Sequence, residues 1–506
     1  MSVKSQTKLS REDIAKIEIG HTNVSRPIQW TLTLTFLFFI GIYPVLQMFY
    51  HQPFGEWRQE ESVQKSIKAY ETAIEDSSLL RKWLLTPAQC FATSFFKIGN
   101  EKVIIGKDGW LFYAGDYEYL INPGFLRPAV LQKRILKGGQ PDPVKAILDF
   151  NKQLQTRGIR LVLLPIPVKP MIYPDKLAGS NAPLQNLSFA DFKQQIEAAG
   201  ITVIDLADDF AAMRKAGIEP YLKTDTHWTP EGMKYAAQKT AAVINGDAIA
   251  DVDDKTSSIT AVGDIAAMLK IPDVTSYFPA ETVAVSSLQF PIQRDSQVLL
   301  LGDSFANIYS LAAMNWGEGG GLAEMLGAYL GYPVDAILRN DAGAFATRQL
   351  LANELKRGRD RLEGKKTVVY EFAIRELVSG DWKMLDMTLG EAGELQFLNI
   401  TEPRTVSATV LAVSTVPRPN SAPYKDHVMS FHLGDIDNGN GQALVYAVSM
   451  RDNVWTDAAK VRVGDTVNIH LVPWTDAEAE YGSWNRSEFD DDDLLMAEPA
   501  FGILKK

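Results

Sequence analysis

At 506 residues the chain is too long for one ordinary domain, and two folded domains with an additional segment are expected. Its 51 basic against 62 acidic residues give a formal charge of -11, with no sustained basic stretch. That balance argues against a nucleic-acid partner and favours a neutral or lipid-linked substrate. The single cysteine, Cys90, rules out an intramolecular disulfide. With no histidine near it in sequence, it reads as a small buried hydrophobe rather than a nucleophile.

The first element in chain order is an uncharged run from Trp30 to Tyr50, "WTLTLTFLFFIGIYPVLQMFY", long enough to cross a bilayer as a helix with aromatic residues at both ends. Lys4, Lys8, Arg11, Lys16 and Arg26 precede it, which places the N-terminus in the cytoplasm and the bulk outside. A cleaved signal peptide is the alternative, but the run is long and no small-residue cleavage site follows promptly. The expected division is a cytoplasmic N-terminus over 1–29, a transmembrane anchor over 30–50 and a helical linker over 51–94. Residues 95–384 then form an α/β domain, and 385–506 a β-rich module.

Within the α/β region, "GKDGWLFYAGDYEYL" pairs a Lys-Asp-Gly turn with aromatic residues entering a core. "PVKAILDFNKQLQTRG" reads as an amphipathic helix closed by Gly158, and "IRLVLLPIPVKP" as a buried strand. The helix "FADFKQQIEAAG" and strand "ITVIDLADDF" repeat the unit, and "VLLLGDS" and "KTVVYEFA" add further strands. Such alternation predicts a mainly parallel sheet with helices on both faces, whose site lies at the carboxyl ends of the strands.

Two short blocks fall at such ends. In "SQVLLLGDSFANIYS" the Gly-Asp-Ser turn leaves Ser304 two roles, nucleophile or helix N-cap. In "YLKTDTHWTPEGMKYAAQKTAAVI" Asp225 and His227 precede a helix with Thr229 as N-cap and Pro230 at its first position. The positive end of that helix is expected to keep His227 neutral, as a general base requires. Of the six histidines, His21 and His51 flank the anchor and His427, His432 and His470 lie near the C-terminus. His227 is therefore the imidazole available to Ser304, and Asp225 the group to orient it.

"TDTHWTPEGM" ahead of "LGDSFA", with "GKDGWLFY" and "PIPVKPMIYPDKL", resembles the alginate O-acetylation proteins of the AlgJ and AlgX family. The resemblance covers about residues 95–380. It implies an SGNH-hydrolase-like α/β fold in which Asp225 and His227 precede Ser304, the reverse of the block order in ordinary SGNH esterases. It further implies acetyl transfer to hydroxyls of an exopolysaccharide on the periplasmic side of the bacterial inner membrane. The implied acetyl donor is a multi-span membrane-bound O-acyltransferase of the AlgI type. On that resemblance Ser304 carries the acetyl group, His227 is base and acid, and Asp225 orients it. Tyr309, Arg339 and Asn340 are candidates for oxyanion or substrate contacts, with structural roles as the alternative. Glu371 and Arg375 are expected to pair with each other.

After residue 385, "TVSATVLAVS", "HVMSFHL", "ALVYAVSM", "KVRV" and "TVNIHLV" predict a small sandwich or barrel. Trp455, Trp474 and Trp484 are candidates for stacking on sugar rings, with core packing as the alternative. "EFDDDDLL" reads as a solvated acidic run, "DIDNGNG" misses the EF-hand pattern, and the late histidines lack zinc spacing. No metal and no cofactor are expected. The functional alternatives are an acetyl esterase of the same fold and a non-catalytic polysaccharide-binding subunit of an export complex.

Overall fold

The computed structural model describes residues 25–42, 84–179, 184–246, 248–252, 255–288, 290–340, 343–356, 358–390, 397–417, 419, 424–439, 441–489, 494 and 497–505. The chain divides into two compact units, Met1–Phe91 and Ala92–Lys506. In the first, Arg26–Leu37 is α-helical, with Pro27 in the first turn where a missing N–H costs nothing, and a wider turn continues over Phe38–Ile42. The remainder of the expected anchor, residues 43–50, lies outside the described residues, as does most of the expected linker. No helix among the described residues is long and apolar enough to cross a membrane. A short helix spans Thr86–Phe91, where Cys90 is half-buried rather than enclosed.

The second unit opens on a hairpin of β1 (Val103–Ile105) and β2 (Leu111–Tyr113), reversed through Asp108 and Gly109 at φ 55° and 77°. The central sheet takes β3 (Arg160–Ile166), β4 (Thr202–Val203), β7 (Val298–Gly302), β8 (Asp335–Leu338) and β9 (Thr367–Ala373) in the order β4-β3-β9-β7-β8. Every pair is parallel. All of β7 and β9 is buried, because helices cover both faces and leave no side of the strand for water. Pro143–Gln155 shows how those helices form. Asp142 accepts the Lys145 N–H as cap, Pro143 sits at the first position, and Ala146, Ile147, Phe150 and Leu154 face the core. An antiparallel hairpin, β5 (Lys255–Ala261) with β6 (Glu281–Ser287), is inserted ahead of β7.

The β-rich segment holds β10 (Arg404–Val413), β11 (His427–Gly434), β12 (Ala443–Arg451), β13 (Val454–Trp455), β14 (Thr466–Pro473) and β15 (Pro499–Leu504). The order β11-β10-β14-β15-β12 closes on itself through a β11–β12 pairing, making a five-stranded barrel with β13 as an appendage. Along β12, Val445 points into the barrel core with Phe431 and Ile469, whereas Leu444 and Tyr446 pack outside against Trp474 and Phe501. Lys460–Val463 is not a strand, and β15 seals the barrel by pairing parallel to β12 and antiparallel to β14.

Candidate active site

Ser304 follows β7 directly, and the turn that presents it is built by three residues around it. Gly302 is required by space, since a Cβ there would lie 2.6 Å from the Ala306 Cβ and 3.1 Å from Glu371 Oε2. Asp303, not Ser304, is the N-cap of the Ser304–Asn307 turn of helix, its Oδ1 accepting the Phe305 N–H at 2.9 Å. Its Oδ2 accepts the Ala373 N–H at 2.7 Å, and its own N–H donates to Glu371 Oε2 at 2.8 Å. Burial and the adjacent Asp303 carboxylate raise the Glu371 pKa well above the usual range, which favours the neutral form of this carboxyl under the turn. The capping role open to Ser304 in the sequence is thus filled by its neighbour.

The second block is a loop held from several sides. Thr229 caps the helix Pro230–Asn245 by accepting the Gly232 N–H, as its sequence position indicates. Glu281 accepts the N–H groups of Lys223 and Thr224, and the fully buried Lys169 ammonium donates to the carbonyls of Leu111 and Lys223. The loop brings His227 Nδ1 within 2.6 Å of Asp225 Oδ1 and His227 Nε2 within 2.8 Å of Ser304 Oγ. A carboxylate only accepts, so Nδ1 carries the ring proton and Nε2 offers its lone pair to the serine O–H. Asp225 has every lone pair engaged: Oδ1 also takes the His227 N–H, and Oδ2 the Asp264 N–H and the Trp316 indole N–H.

The charges of these groups are set mutually. Burial alone would lower the His227 pKa, but the hydrogen bond and charge of Asp225 and the charge of Asp264 outweigh it and raise it. The helix N-terminus expected to keep His227 neutral is thus opposed by two carboxylates, Asp225 and Asp264, at 2.6 and 4.0 Å from Nδ1. Burial opposes ionisation of Asp225, yet the same hydrogen bonds hold it well below the usual carboxylate range. Burial and the Asp225 charge push Asp264 up to about 6. Burial brings Lys169 down to about 8 against the pull of the surrounding carboxylates.

Ser304, His227 and Asp225 line a cavity of about 810 Å³ with Asp264, Trp316, Asn340 and Arg375. The barrel segment contributes Tyr424, Lys425, Asp426, Asn453, Trp484 and Asn485 to the same lining. Asn340 faces this space with its Oδ1 held by Asn307 Nδ2 at 2.8 Å. Tyr309 is not an oxyanion group, because its hydroxyl is buried and donates to the Trp228 carbonyl at 2.8 Å. Arg339 is likewise spent on the fold, donating to the Arg486 carbonyl across to the barrel. Arg375 does not pair with Glu371; its guanidinium bonds Asp116 at 3.0 Å and packs over the Tyr113 and Phe305 rings. Trp474 is core, edge-on to Tyr446, whereas Trp455 is exposed on β13 with its N–H on the Pro417 carbonyl and away from the cavity. Of the three tryptophans, Trp484 alone lines the cavity. His427 is buried between Ser449 and Ser487, and burial with the nearby Arg339 charge lowers it to about 3. Asp490–Asp493 of the acidic run lie outside the described residues, while Glu488 accepts from Arg486 and Tyr446.

Sequence reasoning missed Asp264, Trp316 and Lys169. Asp264 had a faint signal in "VGDIAAML", a Gly-Asp pair opening a helix. Gly263 is there because a Cβ would lie 2.3 Å from the Thr224 backbone. Lys169 stood in view between two prolines of "PVKP" with nothing to show that it is buried.

Residues 103–374 match the family described as SGNH hydrolase-like domain, acetyltransferase AlgX. A probable alginate O-acetylase AlgJ of Pseudomonas aeruginosa is 32% identical over 172 residues, which are 34% of this chain and 40% of that protein. The corresponding protein of Pseudomonas syringae pv. tomato is 29% identical over 182 residues, 36% of this chain and 43% of its own length. The match thus spans less than half the length of either of these two relatives. Among solved structures, the O-acetyltransferase domain of Pseudomonas putida AlgJ superposes with a TM-score of 0.40 at 22% identity, covering 54% of this chain and 91% of that one. Pseudomonas aeruginosa AlgX gives 0.36 at 12% identity, over 73% and 90%.

Proposed function

The chain belongs to the AlgX family of acetyltransferases with an SGNH hydrolase-like domain, and on that premise we propose that it moves acetyl groups through Ser304 onto hydroxyls of an alginate-like exopolysaccharide. The observation that carries the proposal is the unbroken relay from Asp225 through His227 to Ser304, at 2.6 and 2.8 Å, opening on one cavity. In the first half-reaction His227 Nε2 takes the Ser304 proton as Oγ attacks the donor's acetyl carbonyl, and the same proton passes to the leaving group. Asn340, its Oδ1 already bound, offers its amide N–H groups to the oxyanion. In the second, a sugar hydroxyl gives its proton to Nε2 and attacks the acetyl-serine, releasing the ester and restoring the serine. Nothing in the relay distinguishes water from sugar as acceptor, so acceptor binding in the cavity decides transfer over hydrolysis.

The uncharged run over Trp30–Tyr50, with basic residues before it, supports a single-pass anchor in the inner membrane and a periplasmic bulk. A multi-span O-acyltransferase in the same membrane is the partner that supplies acetyl. The test is mass spectrometry of the protein after exposure to a small acetyl ester. Acetylation of the Ser304 peptide is expected, with loss of both the adduct and turnover in Ser304→Ala. Turnover by Ser304→Ala at the wild-type rate refutes the mechanism, and protection of the bulk from protease added to spheroplasts refutes the topology.

A further inference from the structure

We infer that Asp264 is a positioning residue of the relay, a second carboxylate that acts with Asp225 to hold His227 and to stabilise the imidazolium formed when Ser304 gives up its proton. The inference rests on the acyl-serine mechanism proposed above. Asp264 opens the short helix Asp264–Met268, and its Oδ2 lies 4.0 Å from His227 Nδ1. Its backbone N–H donates to Asp225 Oδ2 at 2.9 Å, which joins the two acids directly. Its carboxylate accepts the Thr226 N–H at 2.7 Å and the Thr226 hydroxyl at 2.9 Å. One carboxylate therefore grips the residue between Asp225 and His227, and both donors it receives favour its ionised form.

Asp225 answers a charge on the ring through the Nδ1–H bond it already accepts, its other acceptor sites being taken by three further donors. Asp264, 4.0 Å from Nδ1, adds a second negative charge beside the ring. When the Oγ–H bond breaks and the Oγ–acyl carbon bond forms, the proton moves to Nε2, Nδ1–H stays on Asp225, and Asp264 takes no proton. The other charged and titratable groups facing this pair are Asp116 from the helix Ala114–Ile121, Lys169, Tyr113 of β2 and Arg375 after β9. Of these, Lys169 and Tyr113 also feel the Asp264 charge, which raises both, so removing it lowers them alongside His227.

The experiment is the pH profile of kcat/KM for a small acetyl ester, using the full chain and Asp264→Asn, an isosteric change that removes only the charge. Taking away a negative charge makes imidazolium less favourable, so the acid limb moves to lower pH while kcat on the plateau falls about tenfold. That loss is small beside the roughly 10²–10⁴ attributable to the imidazole itself. Asp264→Glu restores the limb towards the wild-type position. A variant with a lowered melting temperature and an unmoved limb overturns the inference. If Asp264→Asn does not fold, NMR titration of the wild-type protein decides. The Asp264 carboxyl and the His227 ring are expected to titrate as an interacting pair, each curve carrying the other's step. Independent single-step curves overturn the inference. Ser304→Ala is run alongside: wild-type turnover there overturns the acyl-serine mechanism itself, whereas an inactive Ser304→Ala beside an unmoved limb in Asp264→Asn overturns only the role of Asp264.

Discussion

Adjacent residues in the Gly-Asp-Ser turn divide two tasks that one residue type performs elsewhere. Asp303 takes the Phe305 and Ala373 N–H groups, which leaves the Ser304 hydroxyl to meet His227. The division predicts opposite phenotypes. Asp303→Ala orphans two buried N–H groups and is expected to cost about 2 kcal/mol or more of stability. Ser304→Ala loses one hydrogen bond, about 1 kcal/mol, and its larger effect is on turnover. Calorimetry beside acetyl-ester hydrolysis checks both, and a Ser304→Ala protein less stable than Asp303→Ala would contradict the assignment of the cap. Residue types and loop positions made Asp225, His227 and Ser304 legible in sequence, because each stood at a strand or helix end. Trp316 was not legible and Asp264 only faintly so, through its Gly-Asp pair at a helix start, since both reach Asp225 across the fold.

At the scale of elements, the parallel strands were readable as continuous apolar runs because helices bury both faces of the sheet. The barrel was harder to read. "KVRV" alternates like a strand, yet Arg462 folds back on the carbonyls of Ala459 and Val461 and Gly464 turns at φ 90°. β15 begins at a proline and finds its parallel partner far back in the chain, a pairing with no local signal. The junction of β7 with the serine turn is the element on which the site depends most. Gly302→Ala brings a methyl to 3.0 Å from Leu338 Cδ2 and closer still to the Ala306 Cβ. Overpacking of this kind costs typically 1–3 kcal/mol, and because it pushes on the helix that starts at Ser304, turnover should fall more than stability alone explains. Circular dichroism melting with ester kinetics measures both, and an unchanged kcat with unchanged melting would show that the turn yields freely.

Across the molecule, the barrel is part of the cavity rather than a remote appendage. Arg339 reaches the Arg486 carbonyl, Arg359 pairs with Glu498 at 2.6 Å, and Asn353 bonds Glu488. Arg486 itself is buried beside Tyr446 and Trp474. These ties bring Trp484, with the Arg451 guanidinium 5.2 Å from its ring, into the lining of the cavity that holds Ser304. Two tryptophans ten residues apart in sequence thus have different physical situations. Trp474 supports the outer barrel core, so Trp474→Ala is expected to cost about 3–5 kcal/mol of stability. Trp484 is half-buried and offers an aromatic surface to whatever enters the cavity. Removing an aromatic anchor of this kind typically costs about 1–2 kcal/mol of binding, roughly tenfold in KM where KM reports affinity. Trp484→Ala should therefore raise KM for a polysaccharide acceptor about tenfold while KM for a small acetyl ester, which reaches only the serine end, moves much less. Steady-state kinetics with both substrates makes the comparison. Equal changes for the two would mean that Trp484 shapes the cavity as a whole and contacts no acceptor of its own.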